Sequence, residues 1–509
     1  MAYYLGLDIG TSGTKALLVT EDGTVAATDT QEYPLSTPRP QWAEQDPEDW
    51  WQATVTTTRN VLAKAGATGA DVAGIGLSGQ MHGSVFLDKD NAVLRPALLW
   101  CDGRTQGECD WLTERVGREN LVKYISNPIL TGFTAPKIVW LRNHEPDTYA
   151  RVAKVLLPKD YIRFRLTGAH ITEVSDASGT ALFDVTNRRW SREVLEAAEI
   201  PYSLMPDCAE SVEVTAHVHA EGAALTGLSA GTPVVGGGGD NAAGAVGSGI
   251  VGAGDVFSTV GTSGVVFAAA DTPATDPQLR IHTFCHAVPG KWHTMGVMLS
   301  AGGSLRWLRD TFFQPEGVVG RTLGMDPYTL MGQGAESVPP GSEGLIFLPY
   351  LSGERTPYPD ANARGVFFGI TLRHKRQHFT RAVLEGVAFG LNDTFQIFRE
   401  LGIPSGTVRA GGGGARSPLW RQIQADITGL PHVTLAADEG PGFGAALLAM
   451  VGTGVYATVE DACRAIVRPL SETRPDPAAT AEYAKYYAIY RALYPALKDQ
   501  FAAVSQAVA

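Results

Sequence analysis

Cysteine is scarce and scattered in this chain. Cys101, Cys109, Cys208, Cys285 and Cys463 are odd in number, and none stands in a Cys-x-x-Cys pair. That excludes a disulfide framework and a thiolate zinc site, and it predicts reduced thiols in a cytoplasmic protein. Basic charge is short as well. The 41 Lys and Arg against 53 Asp and Glu leave a net charge of −12, so neither nucleic acid nor an anionic membrane is an expected partner. An anionic nucleotide is still allowed, because backbone dipoles and a metal can hold it locally. Long apolar runs are missing. Ala242–Ala270 is rich in Gly and Ala but is interrupted by Asp255 and a Gly-Thr-Ser-Gly turn, so no membrane-spanning helix is expected. The opening Met-Ala-Tyr-Tyr-Leu-Gly has no basic region and passes straight into a strand, which does not read as a signal peptide. Two phosphate loops are absent too. Gly10–Lys15 lacks the spacing of a Walker A loop and gives no Gly-x-Gly-x-x-Gly.

What is present begins with a repeat. Gly-Thr-Ser-Gly occurs at Gly10–Gly13 and again at Gly261–Gly264, about half of the 509 residues apart. Leu5–Ile9 and Ala16–Val19 flank the first copy; Val256–Val260 and Val265–Ala268 flank the second. Short apolar runs around a Gly-bounded turn predict β-hairpins. Such turns offer bare N–H groups and hydroxyls to phosphate. A chain of this length and ordinary composition, 44% hydrophobic and 18% charged, should fold as two large domains. We place their boundary near Gly249.

The first half reads as α/β. Tyr3–Ile9, Thr14–Val19 and Thr24–Glu32 are expected strands, and Asp46-Pro47 starts a helix ending at Gly66. Val72–Leu77 is an expected strand that leads into the Ser78–Gly83 loop. Farther on, Pro233–Val235 runs into Gly236–Gly239 and then Asp240-Asn241, where the missing side chains would let something approach the backbone. The second half repeats these devices. Gly411–Gly414 follows an expected strand around Thr407–Arg409, and Ser417-Pro418 opens a helix. A Gly440–Gly444 loop precedes the helix Ala445–Val451, and the Ala- and Tyr-rich tail from Ala479 is an expected packing helix.

Three places carry candidate chemistry. Asp8 lies on the strand side of the first phosphate turn, where a carboxylate suits Mg²⁺ better than it suits a turn-organising role. Asp240 is open to two readings, a general base toward a hydroxyl or a helix N-cap. Gln80-Met81-His82-Gly83 sets an amide, an apolar contact and an imidazole on one loop, a mixture that suits a small polyol. Taken alone, His82 reads as structural.

Together these residues bring a family into view. Gly132-Phe-Thr-Ala-Pro-Lys137-Ile-Val-Trp140-Leu-Arg-Asn-His144 resembles one signature of the FGGY carbohydrate kinases. Gly365-Val-Phe-Phe-Gly369-Ile370, with His378-Phe379 and Ala382-Val-Leu-Glu385, resembles the other. The resemblance covers nearly the whole chain. It implies two ribonuclease-H-like α/β domains of the actin and hexokinase ATPase type with a central active-site cleft. Residues 1–249 would bind sugar and residues 250–509 nucleotide. It implies Asp240 as proton acceptor, with Met81, His82, Asp240 and Asn241 on the sugar and Asp8 near Mg²⁺. Thr11, Ser12, Thr14 and Lys15 would face the ATP phosphates from one domain, and Gly261, Thr262 and Ser263 from the other. Gly302, Gly303, Gly413, Gly414 and Ser417 would hold the adenosine end. The implied reaction is ATP-dependent phosphorylation of a ketose, D-xylulose by the form of the Gln80–Gly83 loop. Glycerol kinases typically carry Gln-Arg-Glu there. Another ketose or a polyol stays open as acceptor, as does a nucleotide-switched binding protein of the same fold. A homodimer is the assembly considered.

Overall fold

The computed structural model describes residues 2–314, 322, 324–436 and 439–508. The chain forms two compact units. The first comprises Met1–Gly252, Ala269–His293 and Ala437–Val467; the second comprises Ala253–Ala268, Thr294–Ala436 and Arg468–Ala509. The passage near Gly249 is thus the first of five crossings between them. Among the described residues no helix is long and apolar enough to cross a membrane.

Both repeated turns close antiparallel hairpins. In the first, Tyr3–Ile9 pairs with Gly13–Thr20, ending at Ile9 opposite Thr14. In the second, Gly254–Val260 pairs with Gly264–Ala270, ending at Val260 opposite Gly264. Each hairpin then takes the same place in its own sheet. In the first sheet the order is Val214–His217, Pro233–Val235, Val72–Gly79, Tyr3–Ile9, Gly13–Thr20, Val25–Glu32. The second runs Pro469–Thr473, His432–Leu435, Ser405–Gly411, Gly254–Val260, Gly264–Ala270, Trp292–Met298, with His282–Cys285 added at the edge. In both, the hairpin's first strand pairs parallel with a strand from a later crossover. The repeated tetrapeptide is therefore the visible part of a repeated topology.

Local signals set the element ends. Asp46 accepts from the Glu48 N–H, Pro47 is the first residue of the helix Pro47–Ala65, and Gly66 closes it at φ 63°. Ser417 caps the helix Pro418–Thr428 through the Trp420 N–H in the same way. The alternation of the strand Tyr3–Ile9 divides its side chains between two cores. Leu5, Leu7 and Ile9 pack with Trp50, Trp51, Val61, Ile75 and Leu77. Tyr4 faces the other layer, with Val246, Phe443, Leu447 and Met450. The residues that share Tyr4's face by the period of two are Gly6 and Asp8.

One expectation changes. Gly440–Gly444 is not a loop ahead of a helix, because the helix spans Pro441–Gly452 and contains most of it. Pro441 pre-sets the first turn, and the glycines let this helix lie directly on the first sheet. A β-carbon on Gly6 would stand 1.9 Å from the Gly442 carbonyl oxygen, and one on Gly76 1.9 Å from that of Ala445. A β-carbon on Gly444 would meet the Ala243 carbonyl oxygen at 1.8 Å. Gly76→Ala should therefore force the layers apart and lower the melting temperature by about 5 °C or more. Gly107 is the control: it is helical and a β-carbon there meets nothing within 4 Å, so Gly107→Ala should be neutral or slightly stabilising. Equal melting temperatures for the two variants would show that the contact is not tight in solution.

Candidate active site

Asp8 lies opposite Lys15 across the first hairpin and beside Ser78 on the parallel strand. Its carboxyl is pushed up to about 7, first by burial and then by the charge of Asp240, against the pull of Lys15 and the neighbouring Ser78 hydroxyl. Its Oδ1 is buried without a hydrogen-bond partner. Two carboxylates that feel each other, one with an orphaned oxygen, make a setting that a divalent cation would relieve. No cluster of three or more metal-ligating side chains exists among the described residues. Mg²⁺ keeps most of its waters and takes one or two carboxylates, so the orphaned Asp8 oxygen is a ligand of the kind it uses.

Asp240 is the first residue of the helix Asp240–Gly247, and Gly239 occupies the cap position. The N-cap reading therefore gives way. Asp240 Oδ1 accepts from the Asn241 backbone N–H at 2.7 Å and from its side-chain amide at 2.9 Å. Both bonds fall on one oxygen, so Oδ2 has no protein partner among the described residues. Burial pushes the carboxyl up to about 6, with the two Asn241 bonds opposing.

The glycines ahead of it admit the protein itself. A β-carbon on Gly236 would meet the Glu210 carbonyl oxygen at 2.3 Å, one on Gly237 that of Leu77 at 2.0 Å, and one on Gly239 the Met81 Cγ at 2.9 Å. Buried polar groups then grip the run. Arg163 donates to the carbonyls of Val235 and Gly236, and the Gly239 N–H donates to Ser175 Oγ at 3.1 Å. Ser175 donates in turn to Glu173 at 3.0 Å. Glu173, Asp160 and Asp176 surround the fully buried ammonium of Lys159 at 3.3, 2.7 and 3.1 Å. Burial alone would lower the Lys159 pKa, and the three carboxylates reverse that and raise it. Asp240 thus stands at the end of a backbone fixed by an internal charge cluster.

The strand Val72–Gly79 delivers the Gln80–Gly83 loop. Gln80 is spoken for: it accepts from Thr11 Oγ1 at 3.1 Å and donates to Gln45 Oε1 at 3.1 Å, which also accepts from the Trp50 indole at 3.0 Å. Met81 is buried, with its sulfur 4.0 Å from the Asn241 amide nitrogen. The His82 ring stacks on Phe133 at 4.6 Å, and its Nδ1 lies 2.6 Å from the Gly179 carbonyl oxygen. Met81, His82, Asp240 and Asn241 therefore gather in the first unit.

The expected phosphate residues divide. Thr11 binds Gln80 and receives the Trp100 indole N–H at 2.9 Å, while Ser12 is exposed. Thr14 is fully buried, so its hydroxyl lies away from the surface. Lys15 pairs with the Glu439 carboxylate at 3.1 Å, a partner that phosphate would have to replace. In the second unit, Gly261, Thr262 and Ser263 are exposed at the turn. The N–H of Gly302 donates to the Gly261 carbonyl at 2.8 Å and that of Gly303 to the Thr262 carbonyl at 3.0 Å. Gly414 abuts Val260 and Gly413 is exposed, so these glycines collect around one hairpin end. Ser417 lies just beyond them, with its hydroxyl engaged as a cap.

Several contributors escaped sequence reasoning: Gln45, Trp100, Lys159, Ser175, Gly179, and Thr134 with Lys137. For Lys137 a signal existed, a lone charge at the head of the apolar run Ile138-Val139-Trp140-Leu141. The Asp240 carboxyl gives a pH prediction. Its folded pKa of about 6 exceeds the ordinary aspartate value of 3.8, so the fold holds the proton more tightly than the unfolded chain does. Wild type therefore loses this contribution as pH rises from about 4 to 7. Asp240→Asn should match wild type near pH 4 and melt higher above pH 7, by about 5 °C. A gap independent of pH in thermal scans would contradict the assignment.

Comparisons with known proteins show the family. The N-terminal domain of the FGGY family of carbohydrate kinases matches residues 3–247, and the C-terminal domain matches residues 256–453. The chain is 41% identical to xylulose kinase of Escherichia coli strain K12, covering 97% of this chain and 99% of that one. It is 38% identical to xylulose kinase of Bacillus subtilis strain 168, covering 98% of each. The crystal structure of xylulose kinase from Rhodospirillum rubrum superposes with a TM-score of 0.91 at 34% identity, over 98% of this chain and 99% of that one. A family match over both halves, on a doubled topology, settles the membership: this chain is an FGGY carbohydrate kinase.

Proposed function

We propose that this kinase transfers the γ-phosphoryl group of ATP to the terminal hydroxyl of D-xylulose, giving D-xylulose 5-phosphate and ADP in cytoplasmic xylose catabolism. The observation that carries the mechanism is Asp240, with Oδ1 pinned by Asn241 and Oδ2 without a protein partner. Its carboxylate takes the proton of the sugar hydroxyl as that oxygen attacks the γ-phosphorus, and the bond to the bridging oxygen of ADP breaks. A pKa of about 6 leaves the base ionised at neutral pH yet far more basic than an exposed aspartate. Asn241, Met81 and His82 supply the polar and apolar contacts that orient the sugar.

Asp8 would hold Mg²⁺, through water, and the ion would neutralise charge on the transferring phosphate. On the first hairpin, Thr11, Ser12 and Lys15, with the backbone of Thr14, are the proposed phosphate contacts. On the second, they are Gly261, Thr262 and Ser263. Gly302, Gly303, Gly413, Gly414 and Ser417 are proposed for the adenosine end. The substrate is supported by the relatives' names and by a loop pairing an imidazole with an apolar methionine.

Asp240→Asn should lower kcat by about 10² to 10⁴ while changing the sugar Michaelis constant much less. The activity of wild type should fall as pH drops through about 6, and an Asn variant that keeps most of the turnover would remove Asp240 from the chemistry. In a coupled ADP-release assay over ketoses, aldoses and polyols, D-xylulose should give the highest kcat/KM. A higher value for any other acceptor would replace it as substrate. His82→Ala should raise the xylulose Michaelis constant roughly ten- to a hundredfold, and an unchanged constant would make His82 structural.

A further inference from the structure

His82 holds an uncommon backbone. Its φ is 70°, a region that a residue with a β-carbon keeps only where its surroundings over-determine it. Those surroundings are specific. Its carbonyl oxygen accepts from Lys137 Nζ at 2.9 Å and from Thr134 Oγ1 at 3.1 Å. Lys137 also donates to the Gly132 carbonyl at 2.6 Å. Lys137 is fully buried, and among the described residues it forms no ion pair. Burial pulls the Lys137 ammonium down to about 7, with the carboxylate of Asp102 the first charge to oppose it, and an apolar side chain of the same length would fill the space at less cost. What only the amino group supplies is more than one donor at one point.

The ring is fixed from the other side. A carbonyl can only accept, so the Nδ1 beside Gly179 carries the proton, and in the neutral ring Nε2 is then an acceptor. Gly179 can come this close because it lacks a side chain. A β-carbon there would stand 2.6 Å from His82 Nδ1 and Cε1 and 2.9 Å from Met81 Cε.

We infer that Lys137 is a positioning residue for the sugar site: with Thr134 it locks the left-handed backbone of His82, and together with the Gly179 contact this fixes where the imidazole stands relative to a bound sugar. This rests on the reading of His82 as a sugar contact. Lys137 touches neither sugar nor ATP. Its effect passes through one backbone carbonyl.

A double-mutant cycle tests it, with kcat and both Michaelis constants from the ADP-release assay. Calorimetry with a non-hydrolysable ATP analogue is run without sugar. Lys137→Met should raise the xylulose Michaelis constant about tenfold or more, with kcat and ATP-analogue affinity changed less than about threefold. Placed on His82→Ala, the same substitution should add less than about twofold, because the group it serves is gone. Thr134→Val removes one hydrogen bond without changing shape, and it should raise the constant about threefold to fivefold, again only when His82 is present. If Lys137→Met fails to fold, Thr134→Val and Gly179→Ala carry the cycle. Penalties that multiply fully on the His82→Ala background would overturn the inference, as would an equal loss of ATP-analogue affinity. An effect of His82→Ala with none from Lys137→Met, Thr134→Val or Gly179→Ala removes the positioning role alone. No effect from His82→Ala removes the sugar contact and the inference together.

Discussion

The first unit depends on backbone meeting backbone. The helix Pro441–Gly452 lies on the strands Tyr3–Ile9 and Val72–Gly79 at a distance that only glycine permits, with Gly6, Gly76, Gly442 and Gly444 at the contacts. That closeness sets how deep the face of Asp8 lies and why its carboxyl resists ionisation. Gly444 makes a contact of the same kind with the helix Asp240–Gly247, at the Ala243 carbonyl. Two carboxylates from distant parts of the sequence come within reach of each other's charge because nothing wider than a hydrogen separates the layers that carry them.

A second constraint is electrostatic. Lys159, Arg163, Asp160, Glu173 and Asp176 are all fully buried, a concentration of charge that contributes little net stability and much geometry. Its hydrogen bonds end on the carbonyls of Val235 and Gly236 and, through Ser175, on the N–H of Gly239. A strand exit lined by glycines has the freedom to wander. Here that freedom is removed by groups that cannot move without stranding a buried charge.

The parts of the fold that announce themselves in the sequence act over a few residues. Asp46-Pro47 and Ser417-Pro418 name their helix starts, and the two Gly-Thr-Ser-Gly turns mark their hairpins, because capping and turn chemistry is local. Asp8 and Asp240 stand out for a similar reason: a carboxylate beside glycines is conspicuous. What stays hidden is whatever depends on a distant partner. Gly236–Gly239 suggests an approach by something, yet only the fold shows that it is Leu77, Glu210 and Met81. Thr14 looks like a phosphate residue by its place in the motif, and strand alternation then turns its side chain inward. Lys15 finds its partner in Glu439, at the far end of the chain.

The scattered make-up of the first unit bears on how the protein is made. One face of its sheet lacks its covering helix until residues 441–452 have left the ribosome, although its strands are complete by Gly239. At about 5–20 residues per second, that leaves the glycine-lined face exposed on the order of ten seconds or more during synthesis. The second unit must be largely translated in the interval. Completion of the first unit is therefore a late event in the life of the nascent chain, and a ribosome that stalls between the two segments holds a sheet that cannot yet close.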